Sequence, residues 1–461
     1  MAARKVPRWP GTDQCAGSGL LVPGPEPRIL SFSQGHDTPP IFHKTQERPI
    51  DGPSVGAQEL SAKEVAQLRG ETPGVEGGIH LNNAGAGLMP TRVLNAVQEH
   101  LELEAVQGGY EAATLRRSAM DEAYADVAKL VKASPDRVAF LESATVGVAQ
   151  ALSSIPFRPG DRIVTTRDDY VSNQIMYISL RERLQVEVIR APDGPEGGVD
   201  LGALEELIHR KAPRLVSVTH VPTNSGLVQP VEEIGVMARH RDVLYLVDAC
   251  QSVGQIPVDV EAWGCDFLAA SARKYLRGPR GTGFLYLSDR VLEQGLEPLF
   301  PDLRGADWVD DDLYQPAADA RRFETWESSV AGLLGMGAAA RYARDVGVER
   351  GGRRAFRLAA LLRERLAGLP GVRVLDRGSR LCAIVTVAVE GWRPRELVRS
   401  LRAQGVRTSA SELGSGLLDF RDKGVEGALR LSPHYYNTEE EVHEAVDRLE
   451  GILTGSSDSG P

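Results

Sequence analysis

Residues 244–287 read LYLVDACQSVGQIPVDVEAWGCDFLAASARKYLRGPRGTGFLYL, and this stretch decides the fold. One apolar run ends in an acid, Asp248. A second leads to Lys274, 26 residues later, and to the Gly-rich RGPRGTG. An acid at one strand end and a lysine after the next apolar run suit pyridoxal phosphate (PLP). The lysine can form a Schiff base with the cofactor aldehyde. The acid can keep the pyridine nitrogen protonated, so that the ring accepts electrons from a substrate Cα.

Outward from this stretch the pattern repeats. Short apolar runs at Val138–Leu141, Arg162–Thr165, Val186–Ile189, Leu215–Val221, Leu244–Val247, Phe267–Ala270 and Gly283–Leu287 alternate with helical or turn segments. Such alternation predicts a mainly parallel, seven-stranded sheet covered by helices, with ligands beyond the carboxyl ends of the strands. Pro90 to Ala133 is helical, with Met120, Ala123, Val127 and Leu130 on one face. Ser134-Pro135 reads as a helix start. Past Ser328 a long helix leads to a second unit, with a strand in LCAIVTVAVEG and helices in RPRELVRSLRAQG and TEEEVHEAVDRLEGIL. The expected division is an irregular extension over 1–75, a large α/β domain over 76–330 and a smaller α+β domain over 331–455.

Bulk properties bound the function. The chain has 461 residues, 42% of them apolar and 25% charged, which is ordinary for a globular protein. A net charge of −10 without a basic block argues against a nucleic-acid partner. No apolar run approaches the roughly 18 residues of a membrane span. The four cysteines (Cys15, Cys250, Cys265, Cys382) form no CxxC pair, so no metal site or disulfide framework is expected, and the reducing cytoplasm fits. Met1 to Pro10 is basic, but no hydrophobic segment follows to make a secretory signal, and early prolines with Asp13 argue against a transit peptide.

Several motifs in order carry a resemblance: HLNNAGAG at 80–87, GluSerAlaThr at 142–145, AspAlaCysGln at 248–251, SARK ending at Lys274, and LSPHYYNTEEEV from Leu431. Together they resemble the class V aminotransferase and cysteine desulfurase family of fold type I PLP enzymes, from about Ile79 to Leu453. The resemblance implies a homodimer with active sites at the subunit interface and a small amino-acid substrate. It makes Lys274 the Schiff-base lysine and general base at Cα, and Asp248 the partner of the pyridine nitrogen. Gln251 and Asn224 contact the phenolic oxygen, with Thr223 as the alternative to Asn224. Ala144, Thr145, Ser271 and Arg273 form the phosphate cup, and Tyr170 stacks on the ring. Arg430 grips the substrate carboxylate, since a guanidinium offers two parallel donors, and Asn83 lies near the substrate mouth.

Three departures qualify the resemblance. Arg273 stands where many relatives carry histidine. Glu327 stands where a threonine often reaches the neighbouring phosphate. The loop GVRTSASELGSGLLDF has serines where desulfurases carry a mobile nucleophilic cysteine, so persulfide formation by that route is not expected. Three readings follow. The first is a C–S β-lyase yielding aminoacrylate, then pyruvate and ammonia. The second is an aminotransferase using a keto acid. The third is an inactive relative used for binding, which the intact Lys274, Asp248 and Arg430 disfavour. The lyase is preferred by analogy with relatives that lack the loop cysteine.

Overall fold

Runs of aliphatic residues with no polar alternation become strands covered on both faces, because each face must be buried. The computed structural model describes residues 59–455. Its main sheet comprises β1 (Val138–Leu141), β2 (Arg162–Thr165), β3 (Glu187–Arg190), β4 (Leu215–Thr219), β5 (Leu244–Asp248), β6 (Phe267–Ser271) and β7 (Gly283–Leu287). The order is β1-β7-β6-β5-β4-β2-β3, with β7 antiparallel to its neighbours and the other pairs parallel. The chain therefore has the mainly parallel sheet expected from its apolar runs, in the fold type I PLP-dependent transferase architecture that the resemblance implies. Within β5 the side chains alternate: Leu244 and Leu246 join one apolar layer, Tyr245 and Val247 the other.

The helix Val330–Val346 packs on Arg117–Leu130 and Thr91–Gln107 in the core of the large sheet. Contact is close: a Cβ on Gly337 would stand 2.4 Å from the Cβ of Ala123. The second core takes in Ile79, Leu81, Val221, Val228 and Tyr275 as well as residues past this helix. It joins the helices Val348–Ala367, Pro394–Ala403 and Glu439–Thr454 to an antiparallel sheet of β8 (Val372–Val374), β9 (Val385–Val389), β10 (Ser409–Glu412) and β11 (Gly427–Leu431), ordered β8-β9-β11-β10. Ile79 and His80 pair in parallel with Val406 and Arg407.

Two local expectations are corrected. Ser134-Pro135 opens only a single 3₁₀ turn, Pro135–Arg137. The described part of the expected irregular extension contains the helix Ala62–Gly70; residues 1–58 lie outside the described residues. A reciprocal cap starts that helix, with Ser61 Oγ accepting from Glu64 N and Glu64 accepting from Ser61 N. Val65 and Leu68 then bury against Tyr342 and Tyr435. Among the described residues no helix is long and apolar enough to cross a membrane.

Arg277 lies 1% exposed, with φ +63°. Its Nε donates to Leu88 O at 2.7 Å, Nη1 to Tyr435 Oη at 2.7 Å and Nη2 to Thr72 Oγ1 at 2.6 Å. The guanidinium also faces the rings of Tyr436, Tyr435 and Tyr342 at 4.5, 5.3 and 5.6 Å. Removing it leaves three buried acceptors unmatched, so Arg277→Met should lower unfolding stability by about 3 kcal/mol or more. Urea denaturation measures this, and an unchanged midpoint would contradict it.

Candidate active site

β4, β5 and β6 end side by side, and beyond their carboxyl ends opens a cavity of about 280 Å³. Asp248, the last residue of β5, is 3% exposed in its wall. Burial pushes its pKa up. The Lys274 charge opposes that rise, as do donors from Cys250 N to Oδ1 at 3.0 Å and Asn173 Nδ2 to Oδ2 at 3.0 Å. Lys274 is buried in the same wall; its Nζ lies 5.9 Å from the ring centroid of Tyr170 and makes no hydrogen bond or ion pair among the described residues.

The turn after Lys274 meets the segment 82–88. Gly87 N donates to Arg273 O at 2.8 Å, and a Cβ on Gly87 would lie 2.5 Å from Lys274 O, so the approach requires glycine. The helix Ala144–Ser154 begins at the cavity, capped by Ser143 Oγ. Its first turn brings amides and the positive dipole end to the cavity. Ser271 Oγ takes the Ala144 N–H at 2.9 Å, so that amide is engaged by Ser271 in this structure, while Thr145 lines the cavity. Arg273 also lines it and donates to Gly85 O.

Gln251 Nε2 donates to Ala84 O at 3.1 Å and to Thr223 Oγ1 at 3.4 Å, while its buried Oε1 has no partner among the described residues. Arg430, from β11, stands behind Thr223. Its Nη1 donates to Thr223 O at 2.9 Å and Nη2 to Asn82 Oδ1 at 3.4 Å, and its buried Nε is unpartnered among the described residues. Burial lowers its pKa to about 10.

Residues 79–445 match the family model described as Aminotransferase class-V. This chain belongs to that family. A probable cysteine desulfurase of Methanothermobacter thermautotrophicus is 30% identical over 394 residues, covering 84% of this chain and 97% of that protein. The apo structure of a cysteine desulfurase from Thermococcus onnurineus NA1 has a TM-score of 0.79 at 26% identity, covering 85% of this chain and 98% of its own. A cystine C–S lyase solved with its reaction product cysteine persulfide shares the fold, with a TM-score of 0.74 at 23% identity over 85% of this chain and 100% of its own.

Pyridoxal phosphate is the cofactor of this class V chain, and the cavity fits it. A buried acid, an unpaired lysine amine, an unpartnered amide oxygen and a helix N-terminus converge on one space of the right polarity.

Three expected residues are not on its wall: Arg430 stands behind Thr223, and Asn224 and Asn83 are engaged elsewhere. Asn224 turns away, donating to Asp419 Oδ2 at 2.7 Å and Asp168 Oδ1 at 3.4 Å; Thr223 lines the cavity instead. The loop between β4 and the next helix presents Thr223 inward and its neighbour outward. Asn83 is locked by Ser432 O at 2.8 Å and Tyr436 Oη at 2.5 Å, and Asn82 is the neighbour of Arg430. Glu327 borders an adjoining hollow of about 260 Å³ with Thr325 and Ser328, which shares Glu142 and Gly281 with the cofactor cavity. Sequence reading missed Arg280, Thr219 and Cys250 as lining residues. The Gly-rich RGPRGTG was the available signal for Arg280.

A second hollow of about 410 Å³ lies beside Asn224. Asp419 there pairs with Lys423 at 2.7 Å. Burial, then the Asp419 charge, pushes Asp168 up to about 7. A carboxyl whose pKa is raised on folding adds most stability below its unfolded pKa, near 3.8, and loses it as pH rises through about 7. Asp168→Asn should therefore flatten the fall in melting temperature between pH 5 and 8, in calorimetry at constant ionic strength. A slope equal to that of the parent protein would contradict the assignment.

Proposed function

We propose that this PLP-dependent class V enzyme cleaves the Cβ–S bond of a cysteine conjugate, releasing a thiol, pyruvate and ammonia. The carrying observation is the pairing of an unengaged Lys274 amine with the buried Arg430 guanidinium, which no carboxylate neutralises among the described residues. A desolvated guanidinium with an unused N–H favours a small carboxylate ligand.

The bound cofactor acidifies the hydrogen on the substrate Cα by drawing electrons from it. Each residue then has a stated task. Lys274 Nζ takes the Cα proton and is within the same cavity to deliver one to the departing sulfur. Asp248, held by Cys250 N and Asn173 Nδ2, accepts the ring N–H. Tyr170 walls the cavity near Lys274. Thr145, Ser271 and Arg273 hold the phosphate with the helix N-terminus, and Thr223 with Gln251 supplies polar contacts to the ring oxygen. Arg430 fixes the substrate carboxylate, which sets the orientation of the Cα–H bond.

A second reading has a specific observation in its favour. The relatives above are named cysteine desulfurases, and Cys250 is a half-buried thiol on the cavity wall. Against it, the loop over 409–416 holds no cysteine, and burial pushes the Cys382 thiol up to about 12 and Cys265 higher still. Transamination uses the same groups but requires a keto acid.

The reading includes a homodimer. Phe300 and Trp308 are 82% and 80% exposed, with Leu299, Leu303 and Trp326 also open. A surface of this kind suits a second copy.

Products separate the three chemistries. Purified protein given a cysteine conjugate should form pyruvate and thiol in equal amounts without a keto acid, and Cys250→Ala should retain this. Alanine as the product, lost in Cys250→Ala, would overturn the lyase in favour of desulfuration; dependence on a keto acid would favour transamination.

Arg430→Lys keeps the charge but loses the fork. It should weaken substrate binding by about 1–3 kcal/mol and spare cofactor affinity. The comparison is the substrate against its decarboxylated amine. An unchanged acid-to-amine preference would move the carboxylate grip elsewhere, for example to Arg407.

A further inference from the structure

Asp248 must offer a charged oxygen to the cavity while lying almost wholly out of water. Few groups hold it there. Cys250 N occupies Oδ1, and Asn173 Nδ2 occupies Oδ2. Asn173 sits in the first turn of the helix Val171–Leu184 and is 1% exposed. Its amide nitrogen also donates to Asp169 Oδ1 at 3.2 Å. Asp169 is itself anchored by Thr165 Oγ1 at 2.8 Å, by Tyr170 N at 2.7 Å and by Thr219 Oγ1. One –NH₂ group thus bridges two buried carboxylates. Its orientation is dictated by them, since a carbonyl oxygen facing two acids would be repelled, and Asn173 Oδ1 has no partner of its own among the described residues.

We propose that Asn173 is the positioning residue of the cofactor acid: anchored on Asp169, its amide fixes the Asp248 carboxylate in direction and keeps it able to accept the ring N–H. This rests on the reading that Asp248 pairs with the PLP ring nitrogen. The charged and titratable groups around Asp248 set the sign. Lys274 favours its charged form, Asp169 disfavours it, and Asn173 and Cys250 N stabilise it. Tyr177, buried and bonded to Ser217, and His220, whose pKa burial lowers to about 3, contribute no positive charge at neutral pH. Without the Asn173 donor, Asp248 keeps its proton to higher pH, where a protonated acid is a poor acceptor for the ring nitrogen.

Asn173→Leu keeps the branching of the side chain and removes the donor. The measurement is the PLP dissociation constant by equilibrium dialysis from pH 6 to 8.5, with the pH titration of the bound cofactor's absorbance. The parent protein should bind with little pH dependence. The variant should lose about tenfold in affinity at neutral pH, the size of one charge-assisted hydrogen bond, and more as pH falls. Asn173→His, which restores a ring N–H at the same branch, should recover the parent profile. If Asn173→Leu fails to fold, Asn173→Ala is measured in its place. An affinity loss that is uniform in pH, or none, would overturn the positioning role. A parent protein that takes up no PLP would overturn the cofactor reading beneath it as well.

Discussion

The buried guanidinium of Arg277 is the constraint on which the site depends. It lies three residues past Lys274 and holds the turn after that lysine to Leu88, Thr72 and Tyr435 at once. A buried charge without a carboxylate partner tolerates little displacement, because its carbonyl, hydroxyl and ring neighbours must all stay in place. The Lys274 turn, the segment carrying Asn82 and Gly87, and the C-terminal Tyr435-Tyr436 therefore form one rigid frame. The close approach of Gly87 to Lys274 O is a product of that frame.

Within the frame, satisfied and unsatisfied charges divide the labour. Arg277 and Asp169 have their donors and acceptors matched by fixed protein groups. Arg430 and Lys274 do not; Lys274 lines the cavity, and Arg430 stands behind its wall, bonded to Thr223 O. Natural interiors match nearly all buried polar groups, so the mismatches single out places reserved for ligand. Under the proposed reading, the phosphate, ring nitrogen and ring oxygen of the cofactor meet Thr145, Asp248 and Gln251 in that cavity, and of these Gln251 Oε1 has no partner among the described residues.

Much of this was legible in the sequence. Strands buried on both faces announce themselves as unbroken apolar runs, so β1, β2 and β7 were bounded to the residue and the others to within two. Asp248 and Lys274 stood out because strand ends of parallel sheets carry chemistry. What failed was local detail that only packing decides. Nothing in ProThrAsnSerGly distinguishes Thr223 facing the cavity from Asn224 facing Asp419. Asn173 and Asp169 gave no signal, since their importance comes from hydrogen bonds to β4 and β5, 50 residues away for Asp169–Thr219 and 75 for Asn173–Asp248. The Ser61–Glu64 cap is readable as a helix start, but glycine- and proline-rich surroundings mask it.

The bridge between Asn82 and Ser432 and the parallel pairing of Ile79 with Val406 join the two ends of the described chain. Their consequence is temporal. During synthesis the large sheet can assemble as its strands emerge, but the substrate mouth stays open until residues near Arg430 leave the ribosome. Closing so long a loop is entropically dearer than closing the sheet's local crossovers, though only logarithmically. A nascent chain lacking its last few dozen residues would have neither Arg430, the proposed grip on substrate, nor the Tyr435 and Tyr436 contacts that hold Arg277, so under that reading catalytic competence arrives last and all at once.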